Sequence, residues 1–319
     1  MARLHKVFIA PAIVALTVTA TACSDRSSSD SKSKKAPEAT AAVPTTFVDE
    51  GASKAATPAP AGPVTFADGE AAFQTRNYGE AARIFARYTE QRPGNAGGHY
   101  MLGLSAWKSG DLDRAEKGFD EALKLDPKHV KSLINWSRVL LDRNQPDAAV
   151  EKLTLAGELD SKSGVVKRLL GRAYHAQGKI DDAVAAYREA IVIDPQDSWA
   201  MNNLGLLFLD QGRAEDALPL LARAVELGKD VASFHNNLGM ALEHTGRFSA
   251  AAAEYTGALT ADPAYEKAKL NLARVEKVKE DPKEPFDLEA AAKSVVEPAA
   301  KSAEDATAVE DTTAASEAN

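Results

Sequence analysis

An all-α fold, a solenoid of stacked helical hairpins, is what this 319-residue sequence predicts, and four columns of residues predict it. Alanine recurs at Ala81, Ala115, Ala149, Ala183, Ala217 and Ala251, each 34 residues after the last. In the same phase run Gly69, Gly103, Gly171, Gly205 and Gly239, with Ser137 in the remaining slot. Ala122, Ala156, Ala190, Ala224 and Ala258 form a third column, and Pro127, Pro195 and Pro263 a fourth. Self-similarity at a fixed period means equivalent units that bury their apolar faces by stacking. Such stacks bind partners more often than they transform substrates.

Each element of the period has a physical reading. From about Gly97 to Ser109 apolar residues fall three and four apart, and again from Leu112 to Leu125, which is helical and not strand spacing. Gly110-Asp111 is the turn between them. Small residues at Gly103 and Ala115 let the two helices approach closely, where a larger side chain overpacks the contact at roughly 1–3 kcal/mol. The column Phe85, Phe119, Leu153, Tyr187, Leu221 and Tyr255 packs between helices. The dipeptides Asp126-Pro127, Asp194-Pro195 and Asp262-Pro263 end the second helix, because the residue before proline is driven out of the helical region.

Leu170-Gly171, Tyr174, Ala183, Tyr187, Ala190 and Pro195 resemble the pattern of the tetratricopeptide repeat. The resemblance implies a right-handed superhelix of six helix-turn-helix repeats, 62–95, 96–129, 130–163, 164–197, 198–231 and 232–265. A capping helix follows in 266–280, with Leu272 and Ala273 in the small-residue slots and Glu266, Lys267, Lys269, Arg274, Glu276 and Lys277 supplying a polar end. The repeats depart from the pattern in places. None has the frequent early tryptophan, no leucine precedes Gly69, and Ser137 replaces a glycine.

The amino terminus carries a second signal. Arg3 and Lys6 precede an apolar run from Val7 to Ala22 that contains Pro11, short for a bilayer span. With Ala20-Thr21-Ala22 it reads as a secretory signal peptide over 1–22. The one cysteine of the chain, Cys23, comes next, and its placement resembles the lipobox of bacterial lipoproteins, with Ala20 where that motif prefers leucine. The same Ala-x-Ala also suits ordinary signal peptidase, which would leave Cys23 free. If Cys23 is lipidated, Ser24 after it implies an outer-membrane anchor facing the periplasm, the alternative being a soluble periplasmic or secreted protein. Residues 24–61 are rich in Ser, Lys, Ala, Pro and Thr and read as a disordered tether, about 35 Å in mean reach, or as a mere spacer.

Net charge is −8 and unevenly spread. From Asp281 to Asn319 there are ten acidic and three basic residues, which predicts a solvated acidic tail. Phe286, Leu288, Val295 and Val296 form a short amphipathic stretch within it, expected to lie on the last repeat or to visit the groove. The lack of a basic surface argues against nucleic-acid binding.

In the family the first helix of each repeat lines the concave groove, chiefly at its second, fifth, sixth, ninth and twelfth positions. Those slots hold Tyr100 and Trp107, then Asn135 and Arg138, then Arg168, Arg172 and His175. Trp199, Asn202, Asn203, Asn236, Asn237 and Met240 follow, with Asn271 in the cap. Asn135, Asn203, Asn237 and Asn271 share the sixth position, where a carboxamide can pair with the backbone of an extended peptide or can bond neighbouring helices. Arg138, Arg168 and Arg172 can clamp a carboxylate or form a solvated cationic stripe. Trp107 and Trp199 are anchor candidates or inter-helix packing.

Catalysis finds no foothold. The six histidines lack metal-ligand spacing, and neither a phosphate-binding glycine loop nor a nucleophile elbow occurs. No cofactor is expected. The sequence therefore reads as a non-enzymatic scaffold that binds a protein or peptide segment, with membrane contact only through its lipid. Its layout resembles tetratricopeptide lipoproteins of pilus and secretion-system assembly. The competing reading is an adaptor that recruits cell-wall hydrolases or proteases to the outer membrane.

Overall fold

The computed structural model describes residues 62–278 and 287–295, all within one compact unit, residues 42–319. The predicted leader 1–22, Cys23, the predicted tether 24–61, residues 279–286 with Phe286, and everything from Val296 onward lie outside the described residues.

Fourteen helices and no strand occur among the described residues. Repeat one pairs α1 (Phe66–Gln74) with α2 (Tyr78–Gln91), and repeat two pairs α3 (Ala96–Lys108) with α4 (Leu112–Leu125). Repeat three holds α5 (Val130–Asp142) and α6 (Pro146–Leu159), and repeat four α7 (Gly164–Ala176) and α8 (Ile180–Ile193). Repeat five holds α9 (Ser198–Asp210) and α10 (Ala214–Leu227), and repeat six α11 (Ala232–His244) and α12 (Phe248–Ala261). Two further helices follow, α13 (Glu266–Val275) and α14 (Leu288–Ser294). Asparagine or aspartate side chains accept from the first turn of α2, α3, α4 and α9, satisfying amides that the helix itself cannot pair. The turn inside every repeat has one residue at positive φ: Arg76, Gly110, Asn144, Gly178, Gly212 and Gly246, again 34 apart.

The periodic columns are the core. All eleven alanines of the two alanine columns are fully buried, as are Phe85, Phe119, Leu153, Leu221 and Tyr255, and Tyr187 is 1% exposed. The glycine column lies under these large side chains. A Cβ on Gly171 would come 2.6 Å from the Tyr187 ring, and one on Gly239 2.6 Å from Tyr255. Ser137 fits the same slot by turning its hydroxyl back to the Ile134 carbonyl at 2.7 Å.

Contacts follow chain order, each helix against the next, and first helices also meet across repeats: α3 with α5, α5 with α7, α7 with α9 and α9 with α11. The interior is therefore a row of clusters. One runs unbroken from Ala183 to Val275, while the first half of the stack divides among three smaller ones.

The amphipathic stretch near the carboxyl end needs a correction. Its described part, α14, lies neither on the last repeat nor in the groove, but on α10, the second helix of repeat five. Leu288, Ala292 and Val295 are spaced along one face of α14 and join the cluster that contains Leu218 and Ala222. Leu218 is fully buried and Ala222 nearly so. At these two positions the other repeats place Ala82 and Ala86, Glu116 and Asp120, Val150 and Thr154, Val184 and Arg188, or Ala252 and Thr256. α10 alone combines leucine with alanine there, which gives its outer surface a larger apolar area for an apolar helix to cover.

Candidate docking site on the first helices

The aromatic and cationic candidates of repeats two to four come together on α3, α5 and α7. Tyr100 on α3 is half-buried, its ring edge-on to His129 with centroids 5.0 Å apart. Its hydroxyl accepts from Asn135 Nδ2 at 3.3 Å, and burial pushes its pKa up. Asn135 is itself buried. Its amide also donates to the Lys131 carbonyl at 3.0 Å, and its Oδ1 accepts from Arg138 at 2.8 Å.

The three arginines are not equivalent. Arg168 Nε donates to Asp197 Oδ2 at 2.8 Å, and the other oxygen of Asp197 caps α9 through the Ala200 amide. Arg172 donates to Asp142 Oδ1 at 3.0 Å, while Asp142 Oδ2 accepts from Trp107 Nε1 at 2.9 Å. Both aspartates are thus committed. Arg138 meets a neutral acceptor, Asn135, and the Trp107 ring, 5.8 Å away. Among the described residues no carboxylate lies within ion-pair distance of it. Burial lowers the Arg138 pKa first, and the neighbouring Arg168 and Arg172 lower it further. Lys108, over the Trp107 ring at 4.7 Å, is lowered by burial and then by Arg138. Arg138, Arg168 and Arg172 thus share this place with Asp142 and Asp197, and Arg138 is the one of the three that meets a neutral acceptor.

His175 lies 3.6 Å from Asp210, at the next repeat boundary. Trp199 packs edge-on against the buried Phe234, with centroids 4.8 Å apart, so its ring joins repeats five and six.

The asparagines form a chain of their own. Asn271 Nδ2 donates to Asn236 Oδ1 at 2.9 Å, and Asn236 Nδ2 to Asn237 Oδ1 at 3.4 Å. Asn237 donates to Asn202 Oδ1 at 2.8 Å, and Asn202 to Asn203 Oδ1 at 3.4 Å. Every step runs in the same direction, so each bond polarises the next. Asn202, Asn236 and Asn237 are buried, and the ladder ties α13, α11 and α9 together. Asn203 and Asn271, at the two ends, keep partial exposure. Met240 reaches the same ladder through Asn236, its sulfur 3.5 Å from Nδ2.

Sequence reasoning missed Lys108, Asp142, Asp197 and Asp210. Lys108, Asp142 and Asp210 occupy the thirteenth position of their repeats, one beyond the slots read as groove-lining, and Asp197 precedes its helix. The signal was present as a separation. Tyr100 to Asn135, Trp107 to Asp142, Asn202 to Asn237 and Asn236 to Asn271 are each 35 residues apart. One period plus one is the register in which adjacent first helices touch.

Comparison with known proteins agrees with this geometry. The family model described as tetratricopeptide repeat matches 66–130, 100–163 and 202–266, more than half of the chain, and one described as TPR repeat matches 171–212. The general transcriptional corepressor ssn6 of Schizosaccharomyces pombe is 28% identical over 99 residues, 30% of this chain and 9% of that protein. A small glutamine-rich tetratricopeptide repeat-containing protein of Mycosarcoma maydis is 26% identical over 95 residues, 30% of this chain and 27% of that one. The chain thus matches well under a third of the length of these curated relatives. Among solved structures, a thermophilic tetratricopeptide protein of Thermus thermophilus has a TM-score of 0.51 at 21% identity, covering 58% of this chain and all of that one. Pseudomonas aeruginosa pilF has a TM-score of 0.52 at 21% identity, covering 63% and 88%. These structural likenesses concern the fold. With the period, the buried columns and the family match in agreement, the chain belongs to the tetratricopeptide-repeat family.

Proposed function

We propose that this protein is a non-enzymatic interaction scaffold of the bacterial envelope, which holds a segment of a partner protein against its first helices. The family binds peptide or protein partners through such surfaces. The observation that carries the reading here is Arg138: a largely buried cation, held beside Trp107 and Tyr100, with no carboxylate of its own among the described residues. A surface arginine of no consequence would point into water. One retained in a low-dielectric cluster of like charges gains most when an anionic group arrives. Tyr100 and Trp107 supply the aromatic area that dominates interface energetics. Arg172, Arg168, His175, Asn203 and Asn271 extend the contact surface along the stack, and Trp199, Asn135 and Asn237 hold its shape.

The envelope location rests on the signal-peptide pattern and on Cys23, with lipid attachment to the outer membrane and the repeats facing the periplasm. Pilus or secretion-system assembly is the role that this layout supports best. The partner is then a secretin or pilin subunit.

Arg138→Ala is the cleanest test, because Arg168 and Arg172 also hold Asp197 and Asp142 in place. Capture of envelope proteins by the repeat region should fall at least about five-fold while circular dichroism stays helical. Unchanged capture would overturn the docking site. Cys23→Ser should release the protein from membranes into the soluble fraction, and retention would overturn the anchor.

A further inference from the structure

The register of the repeats does not stop at repeat six. Phe66 meets Phe85 and Tyr88 edge-on at 5.3 and 5.6 Å, a contact that closes the first hairpin. Six periods of 34 residues later stand Leu270, Glu289 and Ala292. Ala273 likewise follows Gly239 by one period, and Ala292 follows Ala258. In sequence, then, α13 and α14 hold the places of the two helices of a seventh hairpin, yet α14 lies on α10. We propose that the outer surface of α10 is a second helix-docking site of this protein, and that α14 occupies it as a removable strap, displaced from its own hairpin. The site lies on a second helix and owes nothing to the face formed by α3, α5 and α7.

Two residues keep the seventh hairpin open. In repeat six the Tyr255 ring covers the buried Gly239. Glu289 stands in the place of Tyr255 and would carry a carboxylate into that dry contact over Ala273. In sequence Pro285 follows Ala251 by one period, and a proline ring overfills a column of fully buried alanines. The result shows on α13. Leu270, in the place of Phe66, is 70% exposed, and Ala273, in the place of Gly239, is exposed as well. α14 keeps seven residues where the second helices of repeats one to six have fourteen.

The seat on α10 suits such a helix. Leu288, Ala292 and Val295 fall at i, i+4 and i+7, one stripe of a helix, and join the cluster of Leu218 and Ala222. Leu218 is fully buried, whereas Val150 and Val184 at the same position of their repeats keep partial exposure. On the polar side, Glu289 is the first cause of the raised Lys293 pKa and Glu226 of α10 adds to it, so a cation of the strap faces an anion of the seat. The hold is slight. Three apolar side chains offset the cost of ordering a helix too short to persist alone. Tethering compensates by giving α14 an effective concentration on the order of 1 mM. The partner that fits is an amphipathic helix of another protein, with leucine, alanine or valine at i, i+4 and i+7 over a longer stripe and a lysine on the flank. Its arrival releases α14.

Two measurements on the full chain test the strap. In a Cys23→Ser background an introduced pair of cysteines supplies the only thiols. A short bis-maleimide should link Ala222→Cys to Ala292→Cys at least about ten-fold faster than Leu270→Cys to Ala292→Cys. Adding Pro285→Ala and Glu289→Tyr repairs the hairpin and should reverse that order. Equal rates without the repair would overturn the seat on α10, and an unmoved preference after it would overturn the displaced hairpin.

The second measurement offers the seat a helix in trans. The probe is a fluorescent peptide of residues 286–296, stapled between positions 290 and 294, which face water in α14. It should bind the chain carrying Leu288→Asp and Val295→Asp at least about ten-fold more tightly than the native chain, whose own strap competes. Ala222→Glu in that strap-free chain should abolish binding, at a position where other repeats carry Asp120, Thr154 or Arg188 and so accept a polar side chain. Arg138→Ala should leave it unchanged. Equal binding to the native and strap-free chains, or binding that ignores Ala222→Glu, would sink the proposal.

Discussion

Trp107 Nε1 and Asp142 Oδ2 are 2.9 Å apart, and through the other oxygen of Asp142 the bond continues to Arg172, so one carboxylate joins the first helices of three consecutive repeats. Asp142→Asn keeps the shape and removes the charge. It should cost about 1–2 kcal/mol in urea unfolding, since the arginine bond loses its charged acceptor in a partly buried place. It should also raise affinity for acidic peptides several-fold, because the cluster becomes more positive. Isothermal titration with one peptide on both proteins checks the second effect, and equal affinity would count against the electrostatic account of the site.

Gly171 tests the close approach of paired helices. A methyl there meets the Tyr187 ring at 2.6 Å, and the buried ring has nowhere to turn. Gly171→Ala should destabilise by roughly 1–3 kcal/mol. Gly79, near the start of α2, has nothing within 4 Å of an added Cβ, and Gly79→Ala should instead stabilise by about 0.5–1 kcal/mol through helix propensity. Thermal melts of the two variants should move in opposite directions.

Asn237 is the middle rung of the carboxamide ladder, donating to Asn202 and accepting from Asn236. Asn237→Ala removes the donor to the buried Asn202 Oδ1 and leaves Asn236 Nδ2 with the weak Met240 sulfur acceptor, and should cost about 2 kcal/mol. The loss should appear in hydrogen exchange as faster opening of α9, α11 and α13, with α3 and α5 unaffected. Uniform acceleration across all repeats would contradict the ladder as a local tie.

His235 contributes a pH-dependent term. Its ring bonds Glu254 at 2.7 Å and the Lys229 carbonyl at 2.9 Å, and the Glu254 bond is the first cause of its raised pKa. The folded state therefore holds the proton more tightly than the unfolded one. The resulting stability is fully present below the ordinary histidine value of about 6.5 and disappears as pH rises through the raised folded value. Relative to His235→Gln, the native protein should be about 1.5 kcal/mol more stable at pH 5.5, the size of one charge-assisted bond. The gap should shrink by pH 8.5. A gap that grows with pH would refute the ion pair.

The architecture was legible because one device, the column at 34-residue spacing, fixes helix length, turn and inter-helix contact at once. Gly171 under Tyr187 could be read straight from Leu170-Gly171 and Ala183-x3-Tyr187. The site was legible in part. Arg138, Arg168 and Arg172 do share a surface, but which of them carries an unbalanced charge depends on Asp142 and Asp197. Those residues contact across repeats at 35, 30 and 29 residues, where a reading within one period does not look. The sixth-position asparagines were open to two readings, peptide contact or bonds between helices, and the bonds seen at a separation of 35 pair Asn237 with Asn202 and Asn271 with Asn236, fifth-position residues that a reading of one column does not reach. The seat of α14 was visible only as an excess of apolar character at Leu218 and Ala222, and one deviant repeat is easily taken for drift.

The division of the interior has a mechanical consequence. Three small clusters under repeats one to four hold that end loosely, whereas the continuous cluster from Ala183 to Val275 behaves as one block, braced across its back by α14. Pulled from its amino-terminal end, the stack should peel hairpin by hairpin up to repeat four and then resist. The stack is a graded spring, stiffest over its last repeats.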